Sequence, residues 1–343
     1  MALLYADVLA QYLKIQIVNI QIDTRTLTPS GFGVEVSGVD ISKLDDQTGQ
    51  ILTDAFDAHG GLLVLRDQGL ENPDDLYQLA ALFGEIEHNE KYDPRYLLPD
   101  HPEILRIGNT IEDGQYSALF IRADPPPLLW HCDDSFRHPQ PMGSCLYCVE
   151  TPESGGETGF AGMTAAYEEL SEQIKFRINN LVAVHSYDHL NELLRRKNIH
   201  RPPLSKALRQ EHPPVRRPLV ARHPVTGNKS LYLPLCHIEC IEGMAATEGE
   251  VLLEELQAHA VQERFTHFQN WRPGDLVIWD NRSLMHYAVC DYGDQPLVFD
   301  SKTGAIMPVG GDAGGAALSA AEQQRQAEVE QARQEAMAKE GGK

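Results

Sequence analysis

The residues best suited to chemistry lie in Trp130-His131-Cys132-Asp133-Asp134-Ser135-Phe136. In extended chain, residues i and i+2 point to the same side. His131 and Asp133 can therefore offer an imidazole nitrogen and a carboxylate oxygen to one ion. A second histidine from elsewhere would complete a two-histidine, one-carboxylate set. That set leaves coordination positions open and is characteristic of non-haem Fe(II) oxygenases. His-x-Asp alone is a common spacing, so the partner decides. His286 lies 155 residues after His131, at the end of the block Trp271 to His286.

The elements around these residues can place them together. In the later block, the turn Arg272-Pro273-Gly274-Asp275 feeds an apolar strand, Leu276 to Asp280. The polar bend Asp280-Asn281-Arg282 follows, and then a strand over Met285 to Val289 carries His286. Upstream, Gly31 to Val39 alternates apolar and polar residues as a half-buried strand does. Asp45 to His59 reads as a helix with Ile51, Leu52, Ala55 and Phe56 on one face. Gly61 to Arg66 reads as a buried strand, and Pro73 to Phe83 as a helix opened by its proline and closed by Gly84. Strands are expected over 143–149, 158–161 and 181–187, and a helical segment over 163–179. Residues 189–211, basic and proline-containing, read as a surface excursion. Pro218 to His223 and Ser230 to Leu235 flank the hairpin signal Pro224-Val225-Thr226-Gly227-Asn228, and Glu248 to Arg264 reads as an amphipathic helix. The whole reads as a mainly β core with helical decoration (α+β), such as a jelly roll. Residues 1–29 form an N-terminal extension, in which Tyr12 to Ile22 could be a first strand. Residues 30–310 form the central domain, and 311–343 an Ala/Glu/Gln-rich tail with few apolar residues to dock it.

Composition narrows the function. The 343 residues carry 50 acidic and 29 basic side chains, a net charge of −21, which argues against a general electrostatic grip on nucleic acid or anionic lipid. No run of apolar residues is long enough to cross a membrane, and Met1 to Leu13 lacks the basic start and cleavage site of a secretory signal. Six cysteines in a chain this long are no disulfide framework, so a reducing, cytoplasmic compartment is expected.

Taken in order, several blocks resemble the taurine dioxygenase family of Fe(II)- and 2-oxoglutarate-dependent oxygenases, which includes dichlorophenoxyacetate dioxygenases. They are Gly31 to Asp40, Leu63 to Gln68, Phe83-Gly84, Trp130 to Phe136, Gly155 to Thr158 and Trp271 to His286. The resemblance spans roughly residues 30–292. It implies a double-stranded β-helix, or jelly roll, with His131, Asp133 and His286 as iron ligands. It also implies that Thr158 hydrogen-bonds the side-chain carboxylate of 2-oxoglutarate. The implied chemistry is activation of O2 at Fe(II), coupled to oxidative decarboxylation of 2-oxoglutarate and hydrogen abstraction from a small-molecule substrate. The protein's share is to hold iron open, orient the substrate and keep water out. Asn109 and Arg122 precede the first ligand, where the family shapes its substrate pocket. Homo-oligomerisation is left open.

One position departs from the family. Where it carries an arginine for the distal carboxylate of 2-oxoglutarate, this chain has Leu297, and no arginine occurs between Arg282 and Arg325. A guanidinium fork suits a carboxylate, and burying that anion unpaired is costly. Lys302, Arg282 or Arg122 could supply the charge. Alternatively, the iron works without 2-oxoglutarate, or the protein is a non-catalytic relative. The family's second arginine, which the taurine enzymes use for sulfonate, falls at Ser301, so taurine is not the expected substrate. Cys145-x-x-Cys148 and Cys236 to Cys240 have spacings that zinc could use, but read as buried thiols. His138, His212 and His223 read as structural or surface histidines, and Trp279 and Tyr287 as packing residues.

Overall fold

The computed structural model of the chain describes residues 22–87, 93–109, 130–197 and 201–292, with short strand pieces at 111–112, 115–116, 298–299, 305–306 and 308–309. At its centre an eight-stranded sheet faces a three-stranded one. The large sheet runs in the order Asp23–Thr26, Val34–Ser37, Leu62–Leu65, Leu276–Asp280, Gly143–Tyr147, Ala305–Ile306, His101–Leu105 and Leu97–Leu98. The small one has Thr158–Gly162 between Thr266–Gln269 and Leu284–Ala288. The fold is mixed α/β, with seven α-helices among the described residues.

Period-two alternation sorts the large sheet's side chains into two cores. Val34, Val36, Leu63, Leu65, Cys145, Leu276 and Ile278 pack under the helices Asp46–Ala58 and Pro73–Ala81, which contribute Leu52, Phe56, Leu76, Leu79 and Ala80. Their neighbours Leu62, Val64, Leu146, Cys148, Val277 and Trp279 point the other way and meet Phe160 and Leu284 of the small sheet. Leu62–Leu65 and Leu276–Asp280 are buried at every position because both faces are covered. This is why they read as unbroken apolar runs. Asp45 caps the first of those helices by accepting the Thr48 N–H at 2.8 Å, and Asn72 with Pro73 opens the second.

A third layer rests on the outer face of the small sheet. Val182–His185 lies between Val215–Pro218 and Ile238–Ile241, and the hairpin Val220–Arg222 with Lys229–Leu231 follows its turn signal. The helix Ala246–Ala260 packs Leu252, Leu253 and Leu256 against Ala161, Met163, Ala183 and Met285.

Some elements differ from the sequence expectation. The segment 163–179 is two helices, Met163–Glu168 and Glu172–Ile178, because Ser171 starts a new one by accepting the Ile174 N–H. The expected surface excursion 189–211 contains the helices Tyr187–Lys197 and Lys206–Glu211. Tyr187, Leu204 and Leu208 bury against Phe136, with Leu190 packed on them. The charged outer face hides this helical period in the sequence. The sheet also begins earlier than residue 30, since Asp23–Thr26 pairs with Val34–Ser37 as its edge strand. The expected strand Tyr12 to Ile22, apart from Ile22, and the tail 311–343 lie outside the described residues.

Candidate metal centre

His131 and His286 oppose each other across a reciprocal backbone pair. The His131 N–H donates to the His286 carbonyl at 2.9 Å, and the His286 N–H to the His131 carbonyl at 2.7 Å. Directly opposed residues of an antiparallel pair share a face, and the two rings stand 4.3 Å apart by centroid. Asp133 brings Oδ1 to 3.9 Å from His131 Nε2 and 3.6 Å from His286 Nε2. One donor atom from each residue lies within 4.8 Å of the other two. Two imidazoles and a carboxylate at this spacing suit a divalent iron with open positions.

The electrostatics fit a cation. Burial pushes the Asp133 carboxyl up, with His131 pulling it down less strongly. The hydrogen-bond partners of Oδ2 are neutral: the Ser144 hydroxyl at 3.1 Å and the Asn281 amide at 3.4 Å. They occupy Oδ2 and leave Oδ1 for a metal, which would supply the missing positive charge. Burial, then the nearby His131, holds His286 well below the usual imidazole range. It therefore stays neutral, as a metal ligand must.

The ligand segment is fixed from several sides. Asn281 is fully buried; its Oδ1 accepts the Asp133 N–H at 3.1 Å while its amide reaches Oδ2 of the same residue. Gln140 donates to the Asp133 carbonyl at 3.2 Å. Ser135 Oγ sits between His185 Nδ1 at 2.8 Å and His237 Nδ1 at 2.7 Å. A hydroxyl has one proton, so one imidazole accepts and the other donates, and both are neutral. Burial is the main cause that pushes both down to about 3. Arg217 donates to the Ser135 and Arg137 carbonyls, and Arg137 joins Glu87 at 2.5 Å to Asp134 at 2.7 Å.

The bend before His286 is equally tied. Asp280 receives Arg282 Nε at 2.8 Å on Oδ1 and Nη2 at 2.6 Å on Oδ2. His223 Nδ1 accepts the Thr226 N–H at 3.1 Å, so its proton is on Nε2, which donates to Asp280 Oδ2 at 2.9 Å. Burial opposes ionisation of Asp280, yet Arg282 and His223 hold its carboxyl below the usual range. Gly61, at φ +80°, is required beside this bend: a Cβ there would lie 2.6 Å from Asp280 Cβ.

Thr158 occupies the same interior. Phe160 pairs with His286 in the small sheet, and Thr158 is two residues before Phe160 on the same strand face. It therefore lies one pleat repeat along the strand from the metal level, roughly 7 Å. Its Oγ1 accepts the Trp271 indole N–H at 3.0 Å.

The chain matches the model of the taurine catabolism dioxygenase TauD, TfdA family over residues 23–299. The chain belongs to this family of dioxygenases. It is 35% identical over 229 residues to the alpha-ketoglutarate-dependent 2,4-dichlorophenoxyacetate dioxygenase of Burkholderia sp. strain RASC, covering 66% of this chain and 75% of that one. It is 33% identical over 270 residues to the (S)-phenoxypropionate/alpha-ketoglutarate-dioxygenase of Sphingobium herbicidovorans, covering 75% and 86%. Among solved structures, it is similar to AAD-2 in complex with Mn(II) and N-oxalylglycine, with a TM-score of 0.64 and 29% identity over 85% of this chain and 98% of that one. A taurine dioxygenase from Burkholderia xenovorans matches with a TM-score of 0.67 and 26% identity, over 88% and 98%.

The structure brings His131, Asp133 and His286 together and puts Thr158 on the same interior face. Arg282, a candidate for the co-substrate, has its guanidinium committed to Asp280. Asn109 is half-buried at the end of the short strand Ile107–Gly108. Arg122, Leu297 and Lys302 lie outside the described residues. Cys145 and Cys148 face different cores, Cys240 is exposed, and the only metal-capable group found among the described residues is the His131, Asp133, His286 set. Sequence reasoning missed Ser144, Asn281, Trp271 and the Ser135–His185–His237 node. Asn281 had a signal, in the polar bend before His286. The histidine node had none, because its members come from distant segments.

Proposed function

We propose that this dioxygenase uses Fe(II) held by His131, Asp133 and His286, with 2-oxoglutarate as co-substrate, to oxidise a small organic anion. The observation that carries this reading is the convergence of the three donor atoms within 4.8 Å. The tethering of Asp133 Oδ2, which leaves Oδ1 to the metal, adds to it. When bound, the iron and 2-oxoglutarate supply O2 activation and the oxidising power. The chain's own residues do the rest. Asn281 and Ser144 orient the carboxylate ligand, buried His286 stays unprotonated, and Thr158 offers a hydroxyl for the far carboxylate of the co-substrate. Buried Phe160 and Trp279 pack their rings against His286 and limit water on that side.

Relatives named for 2,4-dichlorophenoxyacetate, (S)-phenoxypropionate and sulfate esters support a small organic acid or ester as substrate. We read the two facing sheets as the jelly roll expected from the sequence. The six free cysteines support a reducing, cytoplasmic compartment.

The test is an anaerobic titration of 2-oxoglutarate into the Fe(II)-loaded protein, following the visible charge-transfer band of a chelated keto acid. A saturating band that is lost in His131→Ala, Asp133→Ala and His286→Ala is expected. Iron binding by the native chain without any band would overturn the co-substrate assignment.

A further inference from the structure

Trp271 is held more firmly than a packing residue needs to be. The turn that follows it closes through Asp275, whose N–H donates to the Arg272 carbonyl at 2.9 Å and whose Oδ2 accepts the Arg272 N–H at 2.8 Å. Gly274 donates to the Cys148 carbonyl at 2.8 Å, and Gln68 to the Gly274 carbonyl at 2.8 Å. Gln269, the last residue of the strand before Trp271, donates to the same Asp275 oxygen at 3.1 Å. With both flanks pinned, the indole packs among Leu146, Cys148, Phe160 and Val277, and its N–H meets Thr158 Oγ1 at 3.0 Å.

The direction of that bond carries information. An indole nitrogen only donates, whereas a threonine hydroxyl can donate or accept. Thr158 must accept from Trp271, and its one proton then has to point elsewhere. The side chain makes no other hydrogen bond among the described residues, and Thr158 is buried. Donation from the indole also polarises the hydroxyl and strengthens it as a donor in turn. Such pairing is not automatic in this core: the Trp279 indole nitrogen is also buried and has no partner among the described residues.

We propose that Trp271 is a positioning residue, committing the Thr158 hydroxyl to donate to the distal carboxylate of 2-oxoglutarate. This rests on the co-substrate reading above. It gives the chain a stronger neutral donor for a carboxylate, in a sequence that has Leu297 where the family carries arginine.

Two keto acids separate this role from plain packing. 2-Oxoglutarate and 2-oxobutanoate chelate iron through the same keto-acid group, but only the first has a distal carboxylate. Both are titrated into the anaerobic Fe(II) protein, reading the charge-transfer band. Trp271→Phe is expected to weaken 2-oxoglutarate about tenfold, as loss of one oriented hydrogen bond does, and to leave 2-oxobutanoate unchanged. Thr158→Val should show the same selective loss, and the double variant little more. Replacing Trp271 with benzothienylalanine keeps the shape of the indole and removes its N–H, which serves where Trp271→Phe does not fold. It should reproduce the selective loss, and Trp271→His should restore part of the discrimination. Equal weakening of both keto acids, or no change in either beside a selective Thr158→Val, overturns the proposal. A native protein that gives no band with 2-oxoglutarate defeats the co-substrate reading instead.

Discussion

Around Asp133 the polar contacts are dense. Ser144 and Asn281 take one carboxylate oxygen, Asn281 and Gln140 take the backbone, and Arg217 and the Ser135–histidine node hold the following turn. One pleat away along Thr158–Gly162, at the end we propose for the co-substrate, the contacts are sparser. Among the described residues that end offers the Thr158 hydroxyl and the Trp271 indole, and the sequence has Leu297 where the family carries arginine. Metal ligands must be preorganised because their geometry sets the chemistry. On the proposed reading, the dicarboxylate is chelated at one end and so tolerates a weaker hold at the other.

The largest effect expected is at the bend. Arg282→Ala would leave the buried Asp280 carboxylate with no cationic fork, held only by His223 and the backbone N–H of residue 282, costing about 3–5 kcal/mol of stability. Urea unfolding of the metal-free protein checks this. Unchanged stability with lost 2-oxoglutarate binding would instead assign Arg282 to the co-substrate, and the contrast between the two ends would shrink. Next comes Asn281→Ala, which removes both contacts to Asp133. Iron affinity should fall roughly 10–100-fold, while selectivity between the two keto acids is kept.

Leu297→Arg attacks the comparison from the other side. A restored guanidinium should tighten 2-oxoglutarate by about tenfold and leave Fe(II) affinity alone, as read by the same titration. The metal side can also be tested by its pH slope. His185 and His237 are held at about 3 mainly by burial, against an ordinary value of 6.5. His237 and Arg217 face the first; His131, Asp134, Asp133 and His189 face the second. The unfolded chain takes up protons below pH 6.5 and the native one does not. The stability of the neutral pair is therefore complete above 6.5 and is lost as pH falls towards 3. Each histidine should contribute ~1.4 kcal/mol per pH unit in that window. Denaturant midpoints between pH 7 and 5 measure it, and His185→Phe should flatten the slope.

Much of this molecule was already set by local sequence. Alternation and apolar runs located the strands Leu62–Leu65, Gly143–Tyr147, Thr158–Gly162 and Leu276–Asp280, because a strand's faces are a property of its own residues. His131 and Asp133 could be paired for the same reason, being two residues apart in extended chain. What local sequence does not contain is the register between distant strands. Only folding set His131 opposite His286, and Phe160 opposite His286, which brought Thr158 to the same interior. Only folding closed Ser135 between two imidazoles and turned an indole towards a hydroxyl. Those contacts join residues tens to hundreds of positions apart, and a side chain's partner is decided by what the rest of the chain packs beside it.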